Sequence, residues 1–459
     1  MSRKFRNANY EEILNQTIRL GDALPAGHLA RFVVDIIGQL DLSKIYEQYA
    51  PTGGEAIAPE ILLGMLFYGY ATGIFSSRKI EKATYESIPM RYIAGGLKPD
   101  HDTIANFRKI FLEQIKELFV QILLLAQAAG LLKLGNISLD GSKIHADASK
   151  SHAVSYKRLI ELEVQLKTEV NELFELGERS DQGEIQLPEG LVLQNELAIR
   201  QERLVNLAKA KAVLEERAKE RYEAEKAEYE AKVREREEKA RKHRHKPKGR
   251  PPQPPQEQGP HDKDQYNFTD PESRIMKNST NEGYDQHYNV QAATDQDSLL
   301  IVAYALSNHP NDKQEAAPTL DALSPAIGKP AAAALDAGYF SAANIAACQK
   351  REIEPYIATG REPHHLDWHT FFQEQAEPPA DDDSPKVKMA YKLQTEIGQA
   401  IYRLRKCTIE PVIGIIKEVL GFRQFSLRGI KAAAGEWCLV CLAFNLKRLH
   451  TLSLAGGLI

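Results

Sequence analysis

Cysteine is scarce in this chain of 459 residues, which has only Cys348, Cys407, Cys438 and Cys441. Four unevenly placed thiols cannot staple a small secreted fold, which excludes the disulfide-rich class. Cys438 and Cys441 form a C-x-x-C pair inside an apolar helical run, with no second Cys or His pair at zinc spacing. We therefore predict that both thiols pack in the core as small hydrophobic groups.

An excess of charge of one sign is also missing. The 59 Lys and Arg residues stand against 63 Asp and Glu, which gives a net charge of −4 at pH 7. The chain as a whole cannot attract nucleic acid, so any DNA contact must come from local basic patches. One such patch is residues 401–459, which hold nine Lys and Arg against three Glu.

Long hydrophobic runs are absent from the sequence. The longest apolar stretch, residues 118–132, is broken by Gln121 and Gln127 and is shorter than the roughly 20 residues that a membrane span needs. The N-terminus shows no apolar signal core. We expect a cytoplasmic protein, associated with the nucleoid when it acts on DNA, with two or three domains.

Residues 1–132 carry apolar side chains at helical spacing, which predicts an all-α N-terminal domain that binds DNA. Its last part, residues 76–110, is interpreted as two helices joined by a turn, with Asp102 or Thr103 capping the second. This second helix is predicted to present a polar side, formed by Asn106, Arg108 and Lys109. Such a helix suits a helix-turn-helix that enters a major groove, and it equally suits the solvated face of a plain helical bundle.

Residues 155–246 are predicted to form a charged helical hairpin, because leucines recur at steps of three, four and seven on both sides of a glycine-containing break. A basic, proline-rich linker follows at residues 247–265. In it, the segment from Lys248 through Arg250 to Pro251 resembles the core of an AT-hook, which enters the minor groove of A·T-rich DNA. A disordered basic linker explains the same composition.

Short strand patterns occupy residues 133–154 and much of residues 266–459, with a polar loop insert at 358–390. Strand alternating with helix predicts a mostly parallel sheet, with ligands at the carboxyl ends of its strands. Asp140 lies on the first strand, Asp336 ends a later one, and Glu410 lies on a C-terminal helix among basic residues. Carboxylates from separate elements suit Mg²⁺, which shares its ligand shell with phosphates. The sequence thus indicates a metal-dependent enzyme that acts on DNA.

The chain resembles the bacterial insertion-sequence transposases that carry a DDE triad of acids. The resemblance covers most of the chain through motifs at His101–Arg108, Leu139–Ser142, Phe268–Arg274, Gly283–Tyr284, Tyr288–Gln291, Asp336–Ser341, Glu410–Lys417, Arg428–Gly429 and Asn445–Arg448. It implies an α/β ribonuclease H-like catalytic core, which is a mixed sheet flanked by helices. An all-α N-terminal domain precedes this core, and the long helical hairpin is inserted into it. It also implies that Asp140, Asp336 and Glu410 are catalytic and bind two Mg²⁺ or Mn²⁺ ions.

The same resemblance assigns the family's Tyr-Arg-Glu-Lys signature to the region around Glu410. It implies phosphate contacts by Tyr402, Arg405, Lys406 and Lys417. The usual signature has three residues between Arg and Glu, whereas four lie between Arg405 and Glu410. Either Arg405 or Lys406 could therefore hold the Arg role. The implied activity is cleavage and strand transfer at transposon ends by a dimer on double-stranded DNA. An inactive DNA-binding relative and a coiled-coil scaffold remain alternative functions.

Overall fold

The computed structural model describes residue 19 and residues 22–50, 55–243, 250–255, 258–278, 283–360, 378–380 and 383–456. The chain divides into two compact units. The larger unit consists of Met1–Asp147 and Met276–Ile459, and the smaller one is Ala148–Ile275.

The larger unit begins with seven described helices. These are α1 Leu29–Ile37, α2 Ser43–Tyr46, α3 Pro59–Ala71, α4 Ser77–Glu86, α5 Ile88–Ile93, α6 His101–Ile110 and α7 Leu112–Ala128. Helix α3 is buried along nearly its whole length, because its residues are apolar on every side and it lies inside the helical layer. As predicted, the described residues of the N-terminal part form helices and no strand.

The region predicted as two helices with a turn contains three helices, α4, α5 and α6. The N-cap of α6 is Asp100, whose carboxylate accepts a hydrogen bond from the backbone N–H of Thr103, so the predicted cap at Asp102 or Thr103 was wrong. The predicted polar side of α6 also needs correction. Asn106 and Lys109 are exposed, but Arg108 is buried because its guanidinium donates to the hydroxyl of Tyr70, 2.6 Å away.

A mixed sheet of six strands follows in the same unit. The strands are β1 Ile137–His145, β4 Arg274–Lys277, β5 Tyr284–Asp295, β6 Ile301–Ser307, β7 Ala332–Leu335 and β8 Glu354–Ile357, in the order β4-β5-β1-β7-β8 with β6 paired to β5. Strand β5 runs antiparallel to β1 and β6, whereas β1, β7 and β8 are mutually parallel neighbours. The expectation of a mostly parallel sheet was therefore wrong, while the mixed sheet is confirmed.

Helices flank this sheet and complete the unit. They are α10 Ala316–Asp321, α11 Ala342–Lys350, α12 Pro385–Gln394, α13 Glu396–Gly414 and α14 Ile430–Ala455. The chain also makes 3₁₀ turns at Pro325–Ile327 and Ala337–Tyr339, and a π-helical turn at Ile415–Val419 directly after α13. Helix α13 packs against β1, which brings the C-terminal part of the chain to the first strand.

Helix α14 is the central helix of the larger unit. It packs against α3, α7 and β6, so the N-terminal helices and the sheet share one core, and residue 132 does not separate two compact units. Within the described residues, α14 is the one helix long and apolar enough to cross a membrane, but most of it is buried inside the protein, as expected of a core helix. Cys438 and Cys441 lie on it, free and fully buried, which confirms their predicted core packing.

The smaller unit contains the predicted helical hairpin. Helices α8 Tyr156–Asp181 and α9 Leu193–His243 pack on each other, and a two-stranded sheet of β2 Ala153–Ser155 and β3 Gln265–Asn267 adjoins them after a 3₁₀ turn at Lys150–His152. The buried seam of the hairpin consists of Leu159, Leu166, Leu207, Ala210 and Leu214. Four of these five residues, Leu159, Leu166, Leu207 and Leu214, fall at the predicted leucine positions.

Candidate active site

One face of β1 supplies a row of polar groups to α13 and the turn after it. Successive side chains of a strand point to opposite faces, so Ser138, Asp140 and Ser142 lie on the same face. The hydroxyl of Thr408 donates to Ser138 Oγ at 2.8 Å, Arg405 donates to Asp140 at 3.0 Å, and Lys417 donates to Ser142 Oγ at 3.1 Å. These three contacts fix the register between the strand and the helix.

The two other predicted acids come to the same place from different elements. Asp336 directly follows β7, the parallel neighbour of β1, and therefore lies at the carboxyl end of that strand. Glu410 lies on α13, five residues after Arg405. Both side chains are about half exposed, at 49% each, whereas the side chain of Asp140 is 23% exposed. The acids therefore line an open edge of the sheet.

All three carboxylates lie around the guanidinium of Arg405. Its Nη1 donates to Asp140 Oδ2 at 3.0 Å, and its Nη2 donates to Glu410 Oε1 at 3.1 Å. Asp336 Oδ1 lies 3.8 Å from the same Nη2. The structure thus brings Asp140, Asp336 and Glu410 together, although they come from three separate elements of the chain.

The electrostatics of the site reflect burial and crowding of like charges. The pKa of Asp140 is raised to about 6, mainly by burial and to a lesser extent by the nearby Asp336 and Asp312, while Arg405 and the backbone N–H of Gly141 oppose the increase. For Arg405, burial acts to lower the pKa, but the surrounding carboxylates outweigh it and the pKa is raised. The guanidinium therefore keeps its positive charge among the acids.

Asp312 is a fourth acid near the site that the sequence did not indicate. It lies in the loop between β6 and α10, and its Oδ1 accepts hydrogen bonds at 2.9 Å from the side-chain amides of both Asn289 and Gln291 on β5. The hydroxyl of the fully buried Tyr339 donates to Gln291 in turn. Asn289 and Gln291 alternate along a strand otherwise rich in apolar residues. This alternation was the sequence signal that could have indicated a buried polar network.

Gly141 lacks a side chain, and this leaves room for the side chains of Gln291 and Asp312. A Cβ atom at this position would lie 2.4 Å from Gln291 Nε2 and 2.7 Å from Asp312 Oδ1. We expect Gly141→Ala to displace both side chains and to lower the free energy of unfolding by about 1–3 kcal/mol, as overpacking does. Gly338→Ala is the matched control, because its Cβ would approach Asp312 no closer than 3.7 Å. Urea denaturation of both variants measures their free energies of unfolding. Equal values would contradict the close approach of a Cβ at residue 141 to Gln291 and Asp312.

The other predicted site residues have different surroundings. Tyr402 is buried and packs with Ala334 and Ala358, so its ring supports α13 against the sheet. Lys406 is exposed on α13, and Lys417 is partly buried, with its pKa lowered by burial and by Arg423. Arg250 is exposed, and its carbonyl accepts a hydrogen bond from Arg236. Lys248 lies outside the described residues.

The chemistry of the donor set fits divalent metal ions. Mg²⁺ and Mn²⁺ prefer carboxylate oxygens, and here carboxylates from three elements already surround a cationic group, the guanidinium of Arg405. Asp336 and Glu410 remain open to solvent, which leaves room for a phosphate to share the ions. However, in the described part of the chain no three acids, histidines or cysteines are grouped closely enough to enclose an ion as they stand.

The fold and the clustered acids agree with one class of protein, the transposases with a DDE domain. Two family models match the chain: the transposase domain DUF772 matches residues 18–110, and the transposase DDE domain matches residues 255–446. The chain belongs to the DDE transposases of insertion sequences, whose function is DNA transposition. The DDE domain implies a ribonuclease H-like fold, and the mixed sheet with flanking helices agrees with it. Neither the curated proteins nor the solved structures gave a match.

The two matched segments leave out the stretch that carries the first acid. Asp336 and Glu410 lie inside the DDE match, whereas Asp140 falls between residues 110 and 255. The structure connects Asp140 to the matched domain, because β1 pairs with β5 along its whole length and with β7 beside Asp336. The helical hairpin lies in the same unmatched stretch, so the family assignment gives it no role.

Proposed function

We propose that this transposase cuts DNA at the ends of its element and joins those ends to a target, using Asp140, Asp336 and Glu410. The observation that carries the proposal is the convergence of these acids, each with an oxygen within 4 Å of one guanidinium. Three acids that come from separate elements and meet at an open, solvent-accessible edge of the sheet support this proposal.

The three acids would hold two Mg²⁺ or Mn²⁺ ions, which would supply a nucleophile at neutral pH and stabilise the leaving oxygen. The bond that forms first joins a water oxygen to the phosphorus at the element's end, and the bond to the 3′ oxygen breaks and leaves a 3′ hydroxyl. That hydroxyl then attacks a target phosphodiester in the same way. No covalent protein intermediate is needed, and the buried Tyr402 acts through packing or DNA contact and not as a nucleophile.

The positive groups around the acids would bind the DNA backbone. Lys406 is exposed on α13, and Lys417 lies at the end of the polar row on β1, so both could reach phosphates next to the acids. Asn106 and Lys109 are exposed on α6 and would contact terminal inverted repeats. Arg250 is exposed in the basic linker and remains a proposed DNA contact. We also propose a homodimer that holds two ends together.

Cleavage of labelled DNA that carries the element's ends tests this function. We expect the wild-type protein to nick the ends in Mg²⁺ or Mn²⁺ and to lose this activity completely in EDTA, with DNA binding retained. Binding without cleavage under every condition would indicate an inactive DNA-binding relative. Failure to bind the ends at all would favour a scaffold function for the helical hairpin.

Lys417 provides a separate test of the phosphate contacts. Lys417→Met should weaken DNA binding about equally for all sequences and reduce the slope of log affinity against log salt by about 0.9, the value for one phosphate contact. The control is Lys329→Met, because Lys329 precedes β7 and so lies at the opposite end of that strand from Asp336. A slope that both variants leave unchanged would remove Lys417 from the proposed DNA interface.

A further inference from the structure

Arg405 occupies the position where the three acids meet. Its two terminal nitrogens contact Asp140 and Glu410 at hydrogen-bond distance, and Asp336 lies just beyond that distance. Three carboxylates so close to one another repel unless a positive charge lies among them. Among the described residues, Arg405 is the cation that contacts all three of them.

The contacts with the acids also compensate for the burial of this side chain. Only 7% of the Arg405 side chain is exposed, and within the described part of the chain its Nε has no hydrogen-bond partner. A buried donor without a partner is destabilising. The fold therefore does not satisfy every donor of the guanidinium in this position. The acids hold it there, together with the ring of Tyr402, whose centroid lies 5.8 Å from the Arg405 Cζ.

The guanidinium keeps the acids farther from a common centre than a metal ion would. Oxygen atoms stand about 3 Å from the nitrogens of Arg405, whereas Mg²⁺ draws its oxygen ligands to about 2.1 Å. This difference agrees with the absence, among the described residues, of any group of acids already closed around an ion position. Metal binding must then bring the carboxylate oxygens closer together, and the guanidinium occupies the space between them.

We infer that Arg405 is a positioning residue that takes the place of the metal ions among Asp140, Asp336 and Glu410 and must leave these acids when the ions bind. It keeps the site assembled without metal, and its displacement reduces the metal affinity that the acids would otherwise have. Once displaced, the guanidinium is released beside the site, where a DNA phosphate is the natural partner for its planar donors. This inference rests on the proposed metal site.

Calorimetric titration with Mn²⁺ alone, without DNA, tests the exchange. We expect Arg405→Gln to bind Mn²⁺ about tenfold more tightly than the wild type, because a positive charge next to the ions has been removed. Arg405→Lys keeps a charge but loses the fork of donors, so its affinity should lie between the two. Arg403→Gln is the matched control, since Arg403 is exposed on the same helix, and its affinity should equal that of the wild type.

Thermal unfolding gives a second measurement that does not depend on activity. In EDTA, Arg405→Gln should unfold at a lower temperature than the wild type, and saturating Mn²⁺ should raise its unfolding temperature by more than it raises that of the wild type. Metal affinity that is unchanged or weaker in Arg405→Gln would overturn the inference while leaving the metal site intact. If the wild-type protein bound no Mn²⁺, or if Asp140→Asn did not abolish the binding, the proposed metal site would be wrong. The exchange of Arg405 for metal ions would then be wrong as well.

Discussion

Asp140→Asn is expected to reduce cleavage of the element's ends by roughly 10³-fold or more, the scale seen when one member of a catalytic set that acts as a unit is removed. The amide keeps the size of the side chain but removes the charge that would bind a metal ion. Asp140 is also the most buried of the three acids, so solvent cannot replace its oxygen easily. Cleavage assays in Mg²⁺, with binding to the same DNA measured separately, check this prediction.

Asp321→Asn is the matched control for this change. Its carboxylate lies in the same unit but bonds Arg351 and not Arg405, so the same substitution should leave cleavage unchanged. Asp336→Asn and Glu410→Gln should match the loss seen with Asp140→Asn. If Asp140→Asn retained wild-type cleavage, the first acid would be structural and the proposed site would be wrong.

The second large effect is expected at Glu436, which joins the N-terminal helices to the C-terminal part of the larger unit. This fully buried carboxylate accepts hydrogen bonds from the backbone N–H groups of Ser426 and Leu427 at 2.9 and 3.0 Å and from the hydroxyl of Tyr70 at 3.1 Å. Arg108 lies 3.8 Å away. Glu436→Ala leaves these donors without an acceptor and the buried guanidinium of Arg108 without a nearby negative charge. It should lower the free energy of unfolding by about 3–5 kcal/mol.

Urea denaturation measures this loss. Glu418→Ala is the control, because Glu418 is exposed and its ion pair with Arg423 lies at the surface, where such pairs contribute about 0–1 kcal/mol. A double variant that also replaces Arg108 should recover part of the stability, since the uncompensated buried charge is then gone. A Glu436→Ala protein as stable as the control would contradict the role of this network.

The strand that contains Asp140 and the strand that precedes Asp336 could be predicted from sequence because their signals are local. Short apolar runs that end at Asp336 or contain Asp140 identify strands, and the structure places β7 and β1 there. The leucine spacing of the hairpin similarly gave the four leucines of its buried seam. That the three acids lie together remained a hypothesis at the sequence level, because the spacing of single acids says nothing about sheet order.

The sequence could not predict which cations face solvent. Arg108 lies next to the exposed Lys109 on α6, but its guanidinium points inward to Tyr70. It also lies near Glu436, which is on a helix more than 300 residues later. Arg405 contacts Asp140 across 265 residues, so its position among the acids depends on the packing of α13 on β1. Asp312 lies in a loop, and only the fold shows that two amides of β5 hold it near Gly141.

Anomalous scattering from a crystal of this transposase soaked in Mn²⁺ tests the central claim most directly. We predict manganese peaks within about 2.2 Å of carboxylate oxygens of Asp140, Asp336 and Glu410, with the guanidinium of Arg405 moved away from them. The same crystal form of Asp140→Asn should lose these peaks. Manganese found elsewhere, with Arg405 still bonded to Asp140 and Glu410, would contradict the assignment of these acids as the metal site.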